Sequence, residues 1–388
     1  MKADRKNKKK NSYVNIVKYV ERNNMTFKEK PFNPVDSLVL STLVYARLEC
    51  VIEELGKDPV KPNMTVKDFF LSEYFDLMFC DDVTDEENLQ LFAYAAASRR
   101  FRDVEVRNVV SEYDPKEEQQ FAAMTFAITD DKACVAFRGT DGTLTGWKED
   151  FNIAFMDEIP SQADAVKYMN RFFSKGKSIK EVYVTGHSKG GNLAIYGGLM
   201  CGEKALGRIK SIYSHDGPGF KTGMVKKLEE SRKKNKIDLC RYLPQSSLIG
   251  VIMDNTKKYK VVKSDVIGVM QHSAYSWQID GGKFVFVDDM TAMGEYNDRV
   301  MLEWLESATP EQRKMFLDAV FAVLSSNKIN HFKDLKTITP RKMIKIISSI
   351  NGLDDETRDV VIQVFKNLGT SVVKSLDPCT AQGIDEVE

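Results

Sequence analysis

Glu181-Val-Tyr-Val-Thr-Gly-His-Ser-Lys-Gly-Gly-Asn-Leu-Ala-Ile-Tyr196 decides the fold. A short β-branched run over 181–185 passes through a glycine-flanked serine into an apolar stretch of helical length over 190–200. Strand, tight turn and helix in that order, with Gly186-His-Ser-Lys-Gly190 in the turn, make a nucleophile elbow. Small residues are needed two before and two after Ser188, because a Cβ at either place would meet neighbouring backbone. The alternative is a glycine-rich turn of a doubly wound sheet with no chemistry at the serine.

The flanking segments fit that centre. Short apolar or alternating runs at 104–110, 121–128 and 133–137 predict strands, with Asp130-Asp131 turning between the last two. A helix is predicted over 161–173, stopped near Gly176, and strands over 208–214 and 259–262. A hairpin pairs 276–279 with 284–287 around Asp280-Gly281-Gly282. Strands alternating with helices predict an α/β fold, a mostly parallel sheet with helices on both faces. Before it, apolar residues at helical spacing predict N-terminal helices over 35–100, and Thr84-Asp-Glu-Glu87 reads as a capping box opening a helix through Ala97. After it, 293–376 reads as helical, with Pro310 and Pro340 just inside helix starts. The chain thus divides into a basic tail (1–34), a core domain (35–292), a helical segment (293–376) and an acidic tail (377–388).

Composition narrows the function. Lys+Arg and Asp+Glu both number 56, so no net charge favours nucleic acid. That neutrality is a sum of unlike parts, since residues 1–35 hold ten Lys/Arg against three Asp/Glu while 377–388 carry four acids and no base. The basic opening reads as a solvated tail, with peripheral contact to an anionic membrane as the sharper alternative. The absence of a long apolar run and of a signal-peptide core gives a cytoplasmic expectation. Six scattered cysteines without zinc-ligand spacing read as free thiols, so no metal and no cofactor is expected.

A serine hydroxyl becomes a nucleophile only with a base that an acid orients. The chain has four histidines. His187 lies inside the elbow and is expected to point away from the attacking side; His331 lies in the helical tail and His215 at a strand end. His272, beyond the sheet elements up to the final hairpin, stands where the order Ser, Asp, His puts the base. For the acid, Asp216 follows the strand after the nucleophile strand directly, while Asp254 and Asp265 lie near the next one; a dyad without an acid also stays open, and Asp216 could be a turn residue. The oxyanion needs two donors, the Lys189 N–H and a group from Phe137-Arg-Gly-Thr-Asp141, where Thr140 offers amide and hydroxyl. Gly146-Trp-Lys-Glu-Asp150 is expected to pack over that loop.

Phe137-Arg-Gly-Thr140, Trp147 with Asp150, and Gly186-His-Ser-Lys-Gly190 resemble the motifs of the class 3 lipase branch of the α/β-hydrolases. The match is closer still to an uncharacterised bacterial lipase-like family, through Gly186-to-Asn192, Asp216-Gly-Pro-Gly-Phe220, Pro244-Gln-Ser-Ser247, and Gln271-His272 with Trp277. The resemblance implies an α/β-hydrolase fold, Ser188 as nucleophile, His272 as base and Thr140 in the oxyanion hole, hence an esterase or lipase-like hydrolase of a small-molecule or lipid ester. Two departures stand out. Arg241-Tyr-Leu-Pro-Gln-Ser-Ser247 lacks the carboxylate that class 3 lipases place there, so Asp216-Gly-Pro looks like the pancreatic-lipase arrangement. Lys189 stands where lipases often carry leucine, and is expected either to favour an anionic substrate or simply to be exposed. A non-catalytic binding protein on the same fold is the alternative function. Lysine-rich 221–236 is expected to form a helical cap over the site.

Overall fold

The computed structural model describes residues 13–80, 84–153, 156–175, 179–253, 256 and 258–291. Its strands are β1 (Met64–Thr65), β2 (Glu105–Asp114), β3 (Gln119–Ala127), β4 (Lys132–Phe137), β5 (Glu181–His187), β6 (Ile209–His215), β7 (Asp238–Pro244), β8 (Lys260–Val262), β9 (Ile279–Asp280), β10 (Lys283–Phe284) and β11 (Phe286–Val287). Among the described residues one sheet runs β1-β2-β3-β4-β5-β6-β7-β8-β11, and β9 pairs with β10 beside it. β4 to β8 are parallel. β1 to β4 meander antiparallel, and β11 closes the other edge antiparallel.

The parallel centre is apolar on both sides because helices cover both faces. Alternate residues of β5 show it: Tyr183 joins one cluster with α1 (Ile16–Arg22), α2 (Pro34–Leu43), α3 (Leu48–Glu54), α4 (Val66–Phe70) and α5 (Asp85–Ala97). Val182 and Val184 join the other, built on α7 (Pro160–Lys175), α8 (Lys189–Met200), α9 (Glu203–Leu206), α10 (Thr222–Asn235) and the residue after α6 (Leu144–Asn152). The first cluster is braced by a buried ion pair. Arg100 donates to Asp36 through Nε (2.7 Å) and Nη2 (2.5 Å), and its guanidinium also reaches the carbonyls of Met25, Thr26, Lys30 and Pro31. Asp36 is held in place by a reciprocal cap with Asn33, the residue that starts α2 ahead of Pro34.

Several expectations change. The basic opening is folded from Tyr13 on, since α1 buries Ile16, Val17, Tyr19 and Val20, so 1–34 is not a solvated tail throughout. Its densest basic part, Lys2 to Lys10, lies outside the described residues, as do Asp254, His331, the helical segment 293–376 and the acidic tail. α5 ends at Ala97 as expected, but the Thr84 side chain makes no cap bond; its hydroxyl accepts from the Asn88 side chain (3.1 Å). The predicted hairpin is shorter, Ile279–Asp280 with Lys283–Phe284, and Phe286–Val287 leaves it to join the main sheet. α10 is the crossover helix between parallel neighbours β6 and β7; it buries Leu228 and bonds α8 through the Ser231 hydroxyl and Leu199 carbonyl (2.6 Å). Its place is a face of the sheet, not a cap over the elbow.

Candidate active site

β5 delivers the chain into the elbow at the carboxyl end of the parallel strands. Ser188 takes φ 58°, ψ −133°, a conformation that costs a non-glycine residue about 1–3 kcal/mol and persists only where its surroundings enforce it. They do so here through the Ser188 amide, which donates to the His215 carbonyl of the adjacent strand (2.9 Å). A Cβ at Gly186 would collide with the Gly190 carbonyl, and one at Gly190 with the Phe137 carbonyl. The two glycines of the motif are therefore steric necessities of the turn. Lys189 opens α8, so its N–H, at the first helical position, has no acceptor within the helix.

His272 closes a 3-10 turn, Gly268–His272, and its Nδ1 lies 2.6 Å from Asp216 Oδ2. Asp216 is fully buried, immediately after β6, with φ 50° and its amide on the Tyr242 carbonyl (2.8 Å). Its other oxygen accepts from the Ser247 hydroxyl (2.5 Å), which itself accepts from the Gly250 amide (2.9 Å). Each oxygen of Asp216 thus has a partner, which fixes the carboxylate toward the imidazole. Asp265 is exposed, and its side chain takes the Gln278 amide instead. The loop carrying His272 is locked in turn. Gln271 accepts from the Ser246 amide (2.7 Å) and donates to the Val266 carbonyl (2.7 Å), and Trp277 Nε1 donates to the Gln271 carbonyl (3.0 Å). Asn192 of α8 ties down the turn after the acid, donating to the Pro218 (3.2 Å) and Gly219 (2.9 Å) carbonyls. Among the described residues the Ser188 hydroxyl has no hydrogen bond to the His272 ring, although the ring of His187, next to the serine, packs against it at a tilt, 4.7 Å between centroids.

The loop after β4 lies against the elbow, since a Cβ on Gly139 would stand 2.6 Å from the His187 carbonyl and 3.2 Å from Ser188 Cβ. Arg138 anchors it from below, donating to the Val44 carbonyl (2.7 Å), the Ala46 carbonyl (3.2 Å) and both Glu49 oxygens (2.9 and 3.0 Å). From above, α6 presents Asp150, whose Oδ2 accepts the Thr140 hydroxyl. Asp150 Oδ1 is shut off from solvent without a partner, and burial raises its pKa to about 6 against the pull of the Lys189 ammonium. A hydroxyl committed to a carboxylate cannot also donate to a bound group, so with Asp150 ionised only the amide of Thr140 could serve as a donor there.

Two sequence expectations are overturned. Lys189 is neither exposed nor directed at a substrate: it is 1% exposed and pairs with Glu149 (2.8 Å), both side chains fully buried. His187 points toward the site, donating from Nε2 to the His272 carbonyl (2.7 Å) with Nδ1 near the Tyr45 hydroxyl (3.4 Å). Burial and the neighbouring His272 drop the His187 pKa to about 3, so it stays neutral and serves as a fixed donor. His215 is also buried, its pKa pushed well below the usual range, with Nε2 on the Ser37 hydroxyl (2.8 Å). Sequence reasoning missed Tyr45, Glu149, Gln120 and the role of Ser247; only the Pro244-to-Ser247 motif signalled the last. A cavity of about 430 Å³ lined by Glu49, Asn108, Tyr168 and Arg171 among others includes none of Ser188, Asp216 or His272. Among the described residues no cluster of His, Cys, Asp or Glu has the makings of a metal site, and no helix is long and apolar enough to cross a membrane.

An elbow at the end of a central parallel strand, a buried aspartate after the next strand and a histidine on the connection between β8 and the last short strands belong to a lipase-type α/β-hydrolase of the class 3 lipase-like kind. The chain belongs to the Mbeg1-like family, whose model matches residues 95–322. Solved lipase structures are similar in outline. The crystal structure of M37 lipase shares 15% identity, covering 55% of this chain and 67% of that one, with a TM-score of 0.34. The Rhizomucor miehei lipase propeptide complex shares 13% over 67% of this chain and 75% of that one, TM-score 0.36. A fungal lipase–inhibitor complex shares 13% over 67% and 86%, also at 0.36. No curated protein matches the chain.

Proposed function

We propose that the protein is a serine hydrolase that cleaves a carboxylic ester through an acyl-enzyme on Ser188. The observation that carries this reading is the 2.6 Å contact between buried Asp216 and His272, whose ring lies 4.7 Å from that of His187 in the strained serine elbow. Asp216 holds the proton of His272 on Nδ1, which leaves Nε2 unprotonated to take the Ser188 proton as Oγ attacks the ester carbonyl. The C–O bond to the alcohol then breaks, and His272 returns the proton to the leaving alkoxide. Water attacks the acyl-enzyme with His272 again as base, and Ser188 is released with the carboxylic acid product. The oxyanion of both tetrahedral steps is met by the Lys189 N–H and by Thr140.

A fluorophosphonate probe tests this. Covalent labelling of the folded wild-type chain that is lost in Ser188→Ala supports the reading, and absence of labelling in the folded wild type overturns it in favour of a binding protein on the same fold.

A further inference from the structure

We propose that Lys189 is a positioning residue: its buried ammonium fixes the oxyanion loop against the nucleophile elbow through Glu149 and Gln120. The proposal rests on the hydrolase reading and adds a part that the Ser, His and Asp set does not contain.

All three ammonium protons have acceptors: Glu149 Oε2 (2.8 Å), Gln120 Oε1 (2.9 Å) and the Gln120 carbonyl (2.7 Å). Each acceptor leads onward. Gln120 Oε1 also accepts from the amide of Asp141 (3.3 Å), the residue after Thr140. Glu149 accepts from the Gln120 amide (3.0 Å) and the Ser161 amide (3.0 Å), which fixes α6 on β3 and the start of α7. Glu149 is followed by Asp150, which receives the Thr140 hydroxyl. One residue therefore contributes its backbone N–H to one side of the oxyanion hole and, through its side chain, sets the position of the other side. A leucine would fill the same space without fixing any direction. The buried pair is not explained by stability, because burying two charges roughly cancels their attraction. Directional hold is what it adds, and displacement of reacting groups by 1 Å costs about 100-fold in rate.

The charge also acts on Asp150, which faces Lys189, Glu149 and His272. The ammonium opposes the effect of burial there, so its removal moves the ionisation of Asp150 to higher pH.

The test uses the full chain with p-nitrophenyl butyrate and a fluorophosphonate as probes. Lys189→Met alone strands a buried carboxylate, so the informative protein is Lys189→Met with Glu149→Gln, whose melting temperature shows that it folds. Its kcat is expected to fall about 100-fold with KM changed less than about 3-fold, and the alkaline shift of its pH profile marks loss of the cation. Gln120→Leu keeps the Lys189–Glu149 ion pair, removes the side-chain bridge from the Lys189 ammonium to the Asp141 amide, and is expected to lose about 10-fold in kcat. Wild-type kcat and pH profile in both folded variants overturn the proposal while leaving the hydrolase reading intact. A folded wild type that is not labelled at Ser188 overturns both.

Discussion

Two buried ion pairs, each with both side chains fully excluded from solvent, do different work in this molecule. Arg100 spends its planar fork on Asp36 and on four carbonyls within residues 25–31, so everything it holds belongs to the N-terminal helices and their connection. Lys189, a point charge on the residue after Ser188, holds β3, α6 and the loop carrying Thr140. Equal burial thus says nothing about role; what the bonded partners are attached to decides it. The first pair braces the N-terminal helices, and the second braces the serine elbow and the loop carrying Thr140.

The comparison can be broken at several strengths. The largest effect belongs to the acid. Asp216→Asn leaves the shape but removes the charge that orients and stabilises the protonated His272, so kcat on p-nitrophenyl esters is expected to fall about 10⁴-fold, while Asp265→Asn retains wild-type rate. Next comes Arg100→Met, which strands buried Asp36 and is expected to lower unfolding free energy by about 3–5 kcal/mol in denaturant titration. Its turnover per folded molecule is expected to stay at the wild-type value, and a fall would erase the distinction between the two pairs. Ser247→Ala removes one of the donors to Asp216 and is expected to cost about 1–2 kcal/mol, a roughly tenfold fall in kcat without a matching change in KM.

The smallest effect is a pH dependence. The folded pKa of Asp150, about 6, lies above the ordinary 3.8 of an aspartate, so the folded chain binds more protons than the unfolded one between those values. The stability this group contributes is present below about pH 4 and is lost as pH rises through 6. Asp150→Asn is expected to flatten that part of the melting-temperature profile and to gain most over wild type at pH 8; an unchanged slope would remove burial of Asp150 from the account.

Much of the site was legible because its signals are local. Gly186-His-Ser-Lys-Gly190 needs its two glycines for steric reasons, and strand, turn and helix follow each other within twenty residues, so periodicity and chemistry agree. Asp216 and His272 were singled out because a strand ends directly before the one and the order along the chain left few histidines to choose from for the other, and the structure brings their side chains into contact. What escaped was carried by distance. Lys189 reads as a surface cation until Glu149 and Gln120, at 40 and 69 residues' separation, close on it. His187 was assigned the wrong direction because its partners, Tyr45 and the His272 carbonyl, come from connections at opposite ends of the fold. α6 was missed since Leu144–Asn152 contains a glycine and mostly polar residues, its helical form resting on the Thr143 cap and on buried Glu149. β7 was hidden by Arg241 within a short run that buries mainly its last four residues.

The central claim is that Ser188 becomes acylated. Rapid mixing of the full-length chain with excess p-nitrophenyl acetate, followed by intact-mass and peptide mass measurement, tests it most directly. The account predicts a burst of p-nitrophenolate equal to the protein concentration and an acetyl group on the peptide containing Ser188, both absent in Ser188→Ala. Release of p-nitrophenolate without any adduct on Ser188, or an equal burst from Ser188→Ala, would contradict it.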